Sequence, residues 1–100
     1  MAIVMVTKLT AQDGKRDALL EALSKLVAFS HEEPGTEVYA LHKALDDDIT
    51  VWFYERFADK DALKLHSASD VAKGVFPSLA GLLAGPAEII KLADVAAKGV

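Results

Sequence analysis

The sequence has no cysteine and no asparagine among its 100 residues. Without cysteine it cannot form disulfides, thiolate metal sites or iron–sulfur clusters, and it has no thiol nucleophile. Without asparagine it has no acceptor for N-glycosylation. These absences exclude disulfide-stabilised secreted proteins and cysteine-dependent enzymes as classes.

The chain also lacks a block of positive charge and a long apolar run. Its 11 Lys and Arg residues are outnumbered by 15 Asp and Glu residues, which gives a formal net charge of -4, so a surface that follows nucleic acid phosphates is not expected. No apolar run reaches the ~18 residues that a membrane span needs. Residues 1–6 carry no basic segment of the kind that begins a signal peptide. We therefore expect a cytoplasmic protein with neither nucleic acid nor membrane as a partner.

The chain does contain enough apolar material for one core. Hydrophobic residues make up 52% of the sequence and charged residues 26%, proportions typical of a globular domain rather than a disordered chain. We predict a single domain over residues 1–93, with residues 94–100 as a loosely attached C-terminal tail. A chain of this size buries only about two-thirds of its unfolded surface by itself, so this apolar composition also favours a partner subunit.

The periodicity of the apolar residues predicts four strands and two helical regions. Short runs rich in β-branched and aromatic residues predict strands at residues 2–9, 36–45, 49–57 and 87–92. Leucines at helical spacing predict a first helix from residue 15 to residue 29 or 31, with Asp13 as its N-cap. A second helical region begins after Asp59, restarts at the Ser-Ala-Ser-Asp segment 67–70, and is broken again at Pro77 before a last helical segment.

The order βαββαβ predicts an α+β fold, a ferredoxin-like sandwich with two helices on one face of an antiparallel four-stranded sheet. A three-residue loop at residues 46–48 would join strands two and three as a hairpin. That loop pairs Tyr39 with Glu55 and Leu41 with Phe53, which places these four side chains on one face. A two-residue loop would exchange the two faces.

The opposite face of strand three is also apolar. Trp52 and Tyr54 alternate with the residues that face the helices, and His42 lies on the same side as Trp52 in the predicted register. A bare aromatic face is unusual on a monomer. We therefore predict a homodimer that pairs through this face of the sheet.

Three segments resemble one known family. The sequences SHEEPGTEVY at 30–39, VWFYERFAD at 51–59 and ALKLHSAS at 62–69 are similar to the antibiotic biosynthesis monooxygenases, in which an E-P-G-x-x-x-Y stretch, a Y-E pair and a helical His follow one another. The resemblance covers nearly the whole chain and implies a dimeric α+β barrel. The family includes cofactor-independent oxygenases of quinols and anthrones, haem-degrading enzymes, isomerases, and members without known activity.

His66 and Glu55 are the predicted catalytic residues. His66 falls at a helix end beside a chain break, and imidazole exchanges protons near neutral pH. Glu55 interrupts an apolar strand face, where a carboxylate must be paired or protonated, and it could orient the imidazole. The alternatives are structural: His66 could cap helix carbonyls, and Glu55 could form an ion pair with Lys64 or Arg56.

Tyr39, Thr7 and Phe53 are the predicted substrate-binding residues. Tyr39 lies opposite Glu55 and could place its hydroxyl in the same cavity, while Thr7 is the polar interruption of strand one. Phe53 shares their face and would contact an apolar substrate. A buried Tyr with a satisfied hydroxyl and a Thr in a strand are also ordinary structural features.

We expect neither a metal nor a cofactor. His31, His42, His66 and Glu55 could nominally supply ligands, but none lies at the i,i+3 or i,i+4 spacing of a helical ligand pair. The sequence has no glycine-rich nucleotide fingerprint. Haem-degrading relatives carry a proximal His near the place where Phe76 stands, so the resemblance does not extend to haem binding.

These features together predict a cofactor-free monooxygenase acting on a small, electron-rich aromatic substrate such as a quinol, an anthrone or a polycyclic phenol, with O₂ as the second substrate. Two alternatives remain open. One is an isomerase that moves a proton with the same residues and needs no O₂. The other is a dimeric small-ligand-binding protein without enzymatic activity.

Overall fold

The computed structural model describes all residues, Met1–Val100. A four-stranded antiparallel sheet has the order β2-β3-β1-β4, and three helices accompany it, which confirms the predicted ferredoxin-like α+β fold. The elements are β1 (Ile3–Thr10), α1 (Arg16–Ser30), β2 (Thr36–Lys43), β3 (Thr50–Phe57), α2 (Lys60–Ser67), α3 (Asp70–Ser78) and β4 (Glu88–Leu92).

The hairpin of β2 and β3 has the predicted register. Tyr39 pairs with Glu55, and Leu41 pairs with Phe53. These side chains share the face that the helices cover. The alternation of side chains along each strand then sends Trp52 to the opposite face.

The hairpin tip is wider than predicted. β2 ends at Lys43 and β3 begins at Thr50, because the Asp47 side chain folds back over the loop. Its Oδ1 accepts hydrogen bonds from the backbone N–H groups of Ile49 at 3.0 Å and Thr50 at 2.8 Å. The Arg16 guanidinium donates to the Asp47 carbonyl at 2.7 Å, so the tip is also tied to the start of α1.

The core lies between α1, α3 and the middle of the sheet. Leu19, Leu23 and Leu26 follow the helical spacing predicted for one buried face, and all three are fully or almost fully buried. They contact Val51 and Phe53 of β3 as members of one apolar cluster. Burial of each such side chain contributes about 1.5–3 kcal/mol, so this cluster holds the helical layer on the sheet.

The N-cap predicted for α1 is wrong. Lys15, not Asp13, occupies the N-cap position, and no side chain makes a capping hydrogen bond there. Gly14 adopts a positive φ of 75° between them, a conformation that glycine accepts easily. Asp13 therefore lies two residues before the N-cap position, too far to cap the helix.

The second helical region is segmented as predicted. Asp59 caps α2, with its Oδ1 accepting a hydrogen bond from the Ala62 N–H at 2.8 Å, and the Ser69 hydroxyl caps α3 by accepting from the Ala72 N–H at 3.1 Å. Each helix therefore has its own side-chain cap. The two helices can meet at an angle because neither depends on the other for its first turn.

The predicted helical segment after Pro77 is wrong. Pro77 lies in the last turn of α3, which ends at Ser78, where its missing N–H removes only one hydrogen bond. Residues 79–84 are not helical. They return to the end of β1, where the Ala84 N–H donates to the Thr10 carbonyl at 2.8 Å.

The helices leave β4 uncovered on both faces. All five of its residues are exposed, since α1 and α2 pack mainly against β2 and β3. Beyond β4, the Asp94 carboxylate lies 2.6 Å from a guanidinium nitrogen of Arg56, which ties the start of the C-terminal tail to the sheet. None of the three helices has the length and apolar character that a membrane crossing requires.

Gly35 allows α2 to approach the start of β2 closely. A Cβ atom on Gly35 would lie 2.5 Å from the Cβ of Ala62, a distance that two methyl groups cannot share. The Gly35 carbonyl also accepts a hydrogen bond from the Ala58 N–H at 2.9 Å. His66 lies one helical turn after Ala62 on the same face, so this contact also fixes the position of His66.

We expect Gly35→Ala to lower the free energy of unfolding by about 1–3 kcal/mol, the usual range for overpacking. The matched control is Gly74→Ala. Gly74 lies in α3 with open space around it, so the added methyl should raise the free energy of unfolding by about 0.5–1 kcal/mol. Urea unfolding followed by circular dichroism measures both. Equal effects of the two substitutions would contradict the close contact.

Candidate functional site

All five predicted site residues line one cavity of about 180 Å³ between the sheet and the C-terminal end of α2. The strands bring four of them together: Thr7 of β1 lies opposite Phe53 of β3, and Tyr39 of β2 lies opposite Glu55 of β3. The helix supplies the fifth. The cavity is lined by Met5, Thr7, Leu9, Tyr39, Phe53, Glu55, His66, Ser67, Ala72, Phe76, Ala87 and Ile89.

His66 is held between two carboxylates. It is only 6% exposed. Its Nδ1 lies 2.8 Å from Oε1 of Glu33, and its Nε2 lies 3.8 Å from Oε1 of Glu55. Because an ionised carboxylate only accepts hydrogen bonds, Nδ1 carries a proton in the short contact. In the neutral imidazole, Nε2 is then the nitrogen with a free lone pair, and it lies on the side of Glu55.

Glu33 was not among the predicted site residues. It belongs to the turn between α1 and β2, and its Oε1 also accepts a hydrogen bond from the Thr36 hydroxyl at 3.3 Å. The geometry thus gives Glu33 the hydrogen bond to the imidazole that was expected of Glu55. The sequence contained a signal, since Glu33 opens the E-P-G stretch of the family pattern, but an isolated glutamate in a turn has no periodicity that would show where it points.

Neither structural alternative is found: Glu55 forms no ion pair with Lys64 or Arg56, and His66 caps no helix carbonyl. Arg56 lies on the opposite face of β3 from Glu55, where its Nε lies 3.1 Å from Glu37 and where it also contacts Asp94. The His66 side chain binds a carboxylate rather than a helix carbonyl.

Glu55 is a buried carboxyl group with few polar neighbours. It is 4% exposed, and its Oε2 accepts a hydrogen bond from the Thr7 hydroxyl at 3.1 Å. Burial raises the pKa of Glu55 above its ordinary value, and the Thr7 hydrogen bond and the charge of His66 offset this only in part. The group is therefore easier to protonate than an exposed glutamate.

Tyr39 supplies a neutral hydroxyl at the same place. Burial raises its pKa, and the negative charges of Glu55 and Glu33 raise it further, so the phenol keeps its proton throughout the physiological range. Its ring contacts those of Phe53 and His66, with centroid distances of 4.9 and 4.8 Å and tilted geometry. These contacts hold the imidazole from the side.

The other histidines lie elsewhere. His31 follows the C-terminus of α1 and is exposed, and His42 is exposed on the face of the sheet that the helices do not cover. No three His, Asp or Glu side chains are arranged to hold a metal ion.

The family model of the antibiotic biosynthesis monooxygenases matches residues 2–76. The chain belongs to this family. The resemblance read from the three sequence segments is thereby confirmed. No curated protein matches the chain.

Solved structures of similar proteins share the fold over almost their full length. The protein PA3566 of Pseudomonas aeruginosa is 27% identical, with 95% of each chain covered and a TM-score of 0.88. SO0527 of Shewanella oneidensis is 28% identical, with 91% of this chain and 88% of that chain covered and a TM-score of 0.85. NE2512 of Nitrosomonas europaea, a protein of unknown function, is 26% identical, with coverage of 97% and 92% and a TM-score of 0.85. None of these names gives a substrate.

Glu55→Gln should change how stability depends on pH. Because the pKa of Glu55 is raised in the folded state, the folded protein binds this proton more tightly than the unfolded chain. The wild type therefore loses stability as pH rises from the ordinary carboxyl value through the raised one. Glutamine keeps the shape and removes this titration, so the variant should gain stability over the wild type progressively across that window.

Urea unfolding of both proteins between pH 4 and pH 8 measures the effect. Glu21→Gln is the matched control, because Glu21 is exposed on α1. The difference in free energy of unfolding between Glu21→Gln and the wild type should stay the same across this pH range. A difference for Glu55→Gln that does not vary with pH would contradict the raised pKa.

Proposed function

We propose that this protein is a cofactor-independent monooxygenase that oxidises a small, electron-rich aromatic with O₂. The family assignment supports an oxygenase, and one observation supports the chemistry: the Nδ1 of His66 is held at 2.8 Å by Glu33, while the other ring nitrogen is left for proton transfer in a mostly apolar cavity. A quinol, an anthrone or a polycyclic phenol has the acidic proton that such a base removes.

His66 acts as the general base in this proposal. Its Nε2 takes a proton from a substrate O–H or activated C–H, and Glu33 stabilises the imidazolium through the Nδ1–H. Glu55, 3.8 Å from Nε2, adds a second negative charge when it is ionised. This arrangement makes proton removal favourable in a site that excludes bulk water.

The resulting substrate anion is itself the reductant of O₂. Electrons pass from the anion to O₂, a C–O bond forms, and the O–O bond then breaks. One oxygen atom stays in the product and the other leaves as water with two hydrogens of the substrate. The reaction balances without a metal or an organic cofactor, because the substrate supplies all of the electrons.

The remaining cavity residues would position the substrate. The neutral Tyr39 hydroxyl can donate a hydrogen bond to a substrate oxygen and stabilise the developing anion. The Thr7 hydroxyl is already bonded to Glu55, so Tyr39 is the first donor that the substrate meets. Phe53 offers an aromatic surface to the substrate ring.

His66→Ala should lower turnover by roughly 10²- to 10⁴-fold, the usual contribution of a positioned base. It should also lower the free energy of unfolding by about 1–3 kcal/mol, because Glu33 loses its 2.8 Å partner. Glu33→Gln should lower turnover less, because the amide still contacts Nδ1 but no longer carries the charge that stabilises the imidazolium. Oxygen uptake with a panel of quinols and anthrones measures both. His31→Ala is the control and should be fully active, since His31 is exposed outside the cavity.

The combination of His66→Ala with Glu55→Gln tests whether the two residues act as a unit. If Glu55 acts through the imidazole, the double variant should be scarcely slower than His66→Ala alone. Fully additive losses would show that they act separately. Full activity of His66→Ala would remove the base from the mechanism, and turnover without O₂ would favour the isomerase alternative.

We also propose that the protein is a homodimer that pairs through the uncovered face of the sheet. Trp52, Tyr54 and Val6 share this face with Ile90 and Leu92, and the last two are 54% and 47% exposed. A second copy of the same face would bury this apolar surface.

Sedimentation at micromolar concentration should show a dimer, and Trp52→Asp should shift it toward monomer or aggregate by burying an unpaired charge. Leu45→Asp is the control, because Leu45 is 98% exposed at the hairpin tip and should leave the assembly unchanged. A wild type that sediments only as a 10.7 kDa species would contradict the dimer.

A further inference from the structure

A second, larger cleft opens directly beside the His66 cavity. It has a volume of about 740 Å³ and lies between α2 and the strands β1 and β4. Met5, Ser67 and Ile89 line both the cleft and the cavity. The two spaces are therefore adjacent, with three lining side chains in common.

The charge of this cleft is opposite to that of the protein. Its charged residues are Lys60, Lys64 and Lys91, and no acidic residue lines it, although the chain carries a net charge of -4. Lys60 and Lys64 are four residues apart on α2 and so share one helix face. Lys91 lies opposite Met5 on the helix-side face of β4, so the three cations come from two elements.

These three lysines form no ion pairs within the chain. The ion pairs of the chain involve other basic groups, namely Lys8, Arg16, Arg56 and His66. Three free ammonium groups around one cleft repel each other, and an anion among them would relieve that repulsion.

The sizes of the two spaces add a second constraint. An apolar cavity of about 150 Å³ is enough for a molecule the size of benzene, so the 180 Å³ cavity has room for about one ring. Drug-sized ligands occupy about 300–1,000 Å³. A polycyclic substrate with a ring beside His66 would extend into the cleft, whose floor is apolar at Ile3, Leu63 and Ile89.

We propose that the substrate is an anionic aromatic, with a carboxylate or a phosphate that Lys60, Lys64 and Lys91 bind while its ring enters the His66 cavity. This inference rests on the proposed function for the reaction, but the binding it describes does not depend on turnover. The lysines select the substrate by its charge, and His66 acts on the ring at the other end of the substrate.

Isothermal titration calorimetry with three naphthalene probes tests this directly. The probes are 2-naphthoate, 2-naphthyl phosphate and the neutral 2-naphthamide, which share the ring and differ in charge. We expect at least one anion to bind roughly tenfold more tightly than the amide at low salt, with the advantage falling as salt is added. The tighter of the two anions identifies the group that the cleft prefers.

The triple variant Lys60→Gln, Lys64→Gln, Lys91→Gln should lose this advantage, with the amide unaffected. The control carries Lys25→Gln, Lys43→Gln and Lys73→Gln, which change the net charge equally at exposed positions outside the cleft, and it should bind like the wild type. A single reversal, Lys64→Glu, should weaken anion binding while removing only one lysine.

Several results would overturn the inference. They are equal binding of the anions and the amide, no binding of any probe, or retention of the anion preference in the triple variant. His31→Ala, at an exposed position outside both spaces, should bind the anions normally. A protein that binds the anions but consumes no O₂ with any quinol would support the anion site and contradict the oxygenase. Oxygenase activity on neutral quinols without anion preference would support the oxygenase and contradict the anion site.

Discussion

The contact between Gly35 and Ala62 is the constraint on which the site depends. It brings the first turn of α2 against the start of β2, because Gly35 has no side chain to keep them apart. Glu33 lies two residues before this glycine and His66 lies one helical turn after this alanine. The backbone contact therefore positions both residues for the 2.8 Å hydrogen bond between their side chains.

The site buries polar side chains where apolar ones would cost the fold less. Glu55 and His66 are both buried, and a buried carboxyl group opposes folding unless it is neutralised or bonded. The core offsets this cost through the leucines of α1 and the apolar residues of β3, of which Phe53 also reaches the cavity. Stability and chemistry thus share one sheet face: Leu9, Phe53 and Ala72 belong to the apolar cluster and also line the cavity.

Regular elements made most of this arrangement predictable. The alternation along β3 was enough to place Glu55 and Phe53 on one face, and the hairpin register then brought Tyr39 to them. Glu33 could not be found in the same way, because it lies in a turn where no period relates one side chain to the next. The cap of α1 was missed for a related reason: a local φ at Gly14, rather than the identity of Asp13, decides where the helix begins. The return of residues 79–84 to β1 depends on tertiary hydrogen bonds that no local pattern encodes.

The place of β1 in the sheet has a consequence for how the chain is synthesised. β1 leaves the ribosome before the other three strands of the sheet, yet it lies in the interior of the sheet, between β3 and β4. Its second edge stays unpaired until Glu88–Leu92 has emerged. Because these contacts join opposite ends of the sequence, they close the longest loop in the chain. A nascent chain that lacks its last strand thus carries a free strand edge beside an open apolar face, the combination that favours pairing with a second copy.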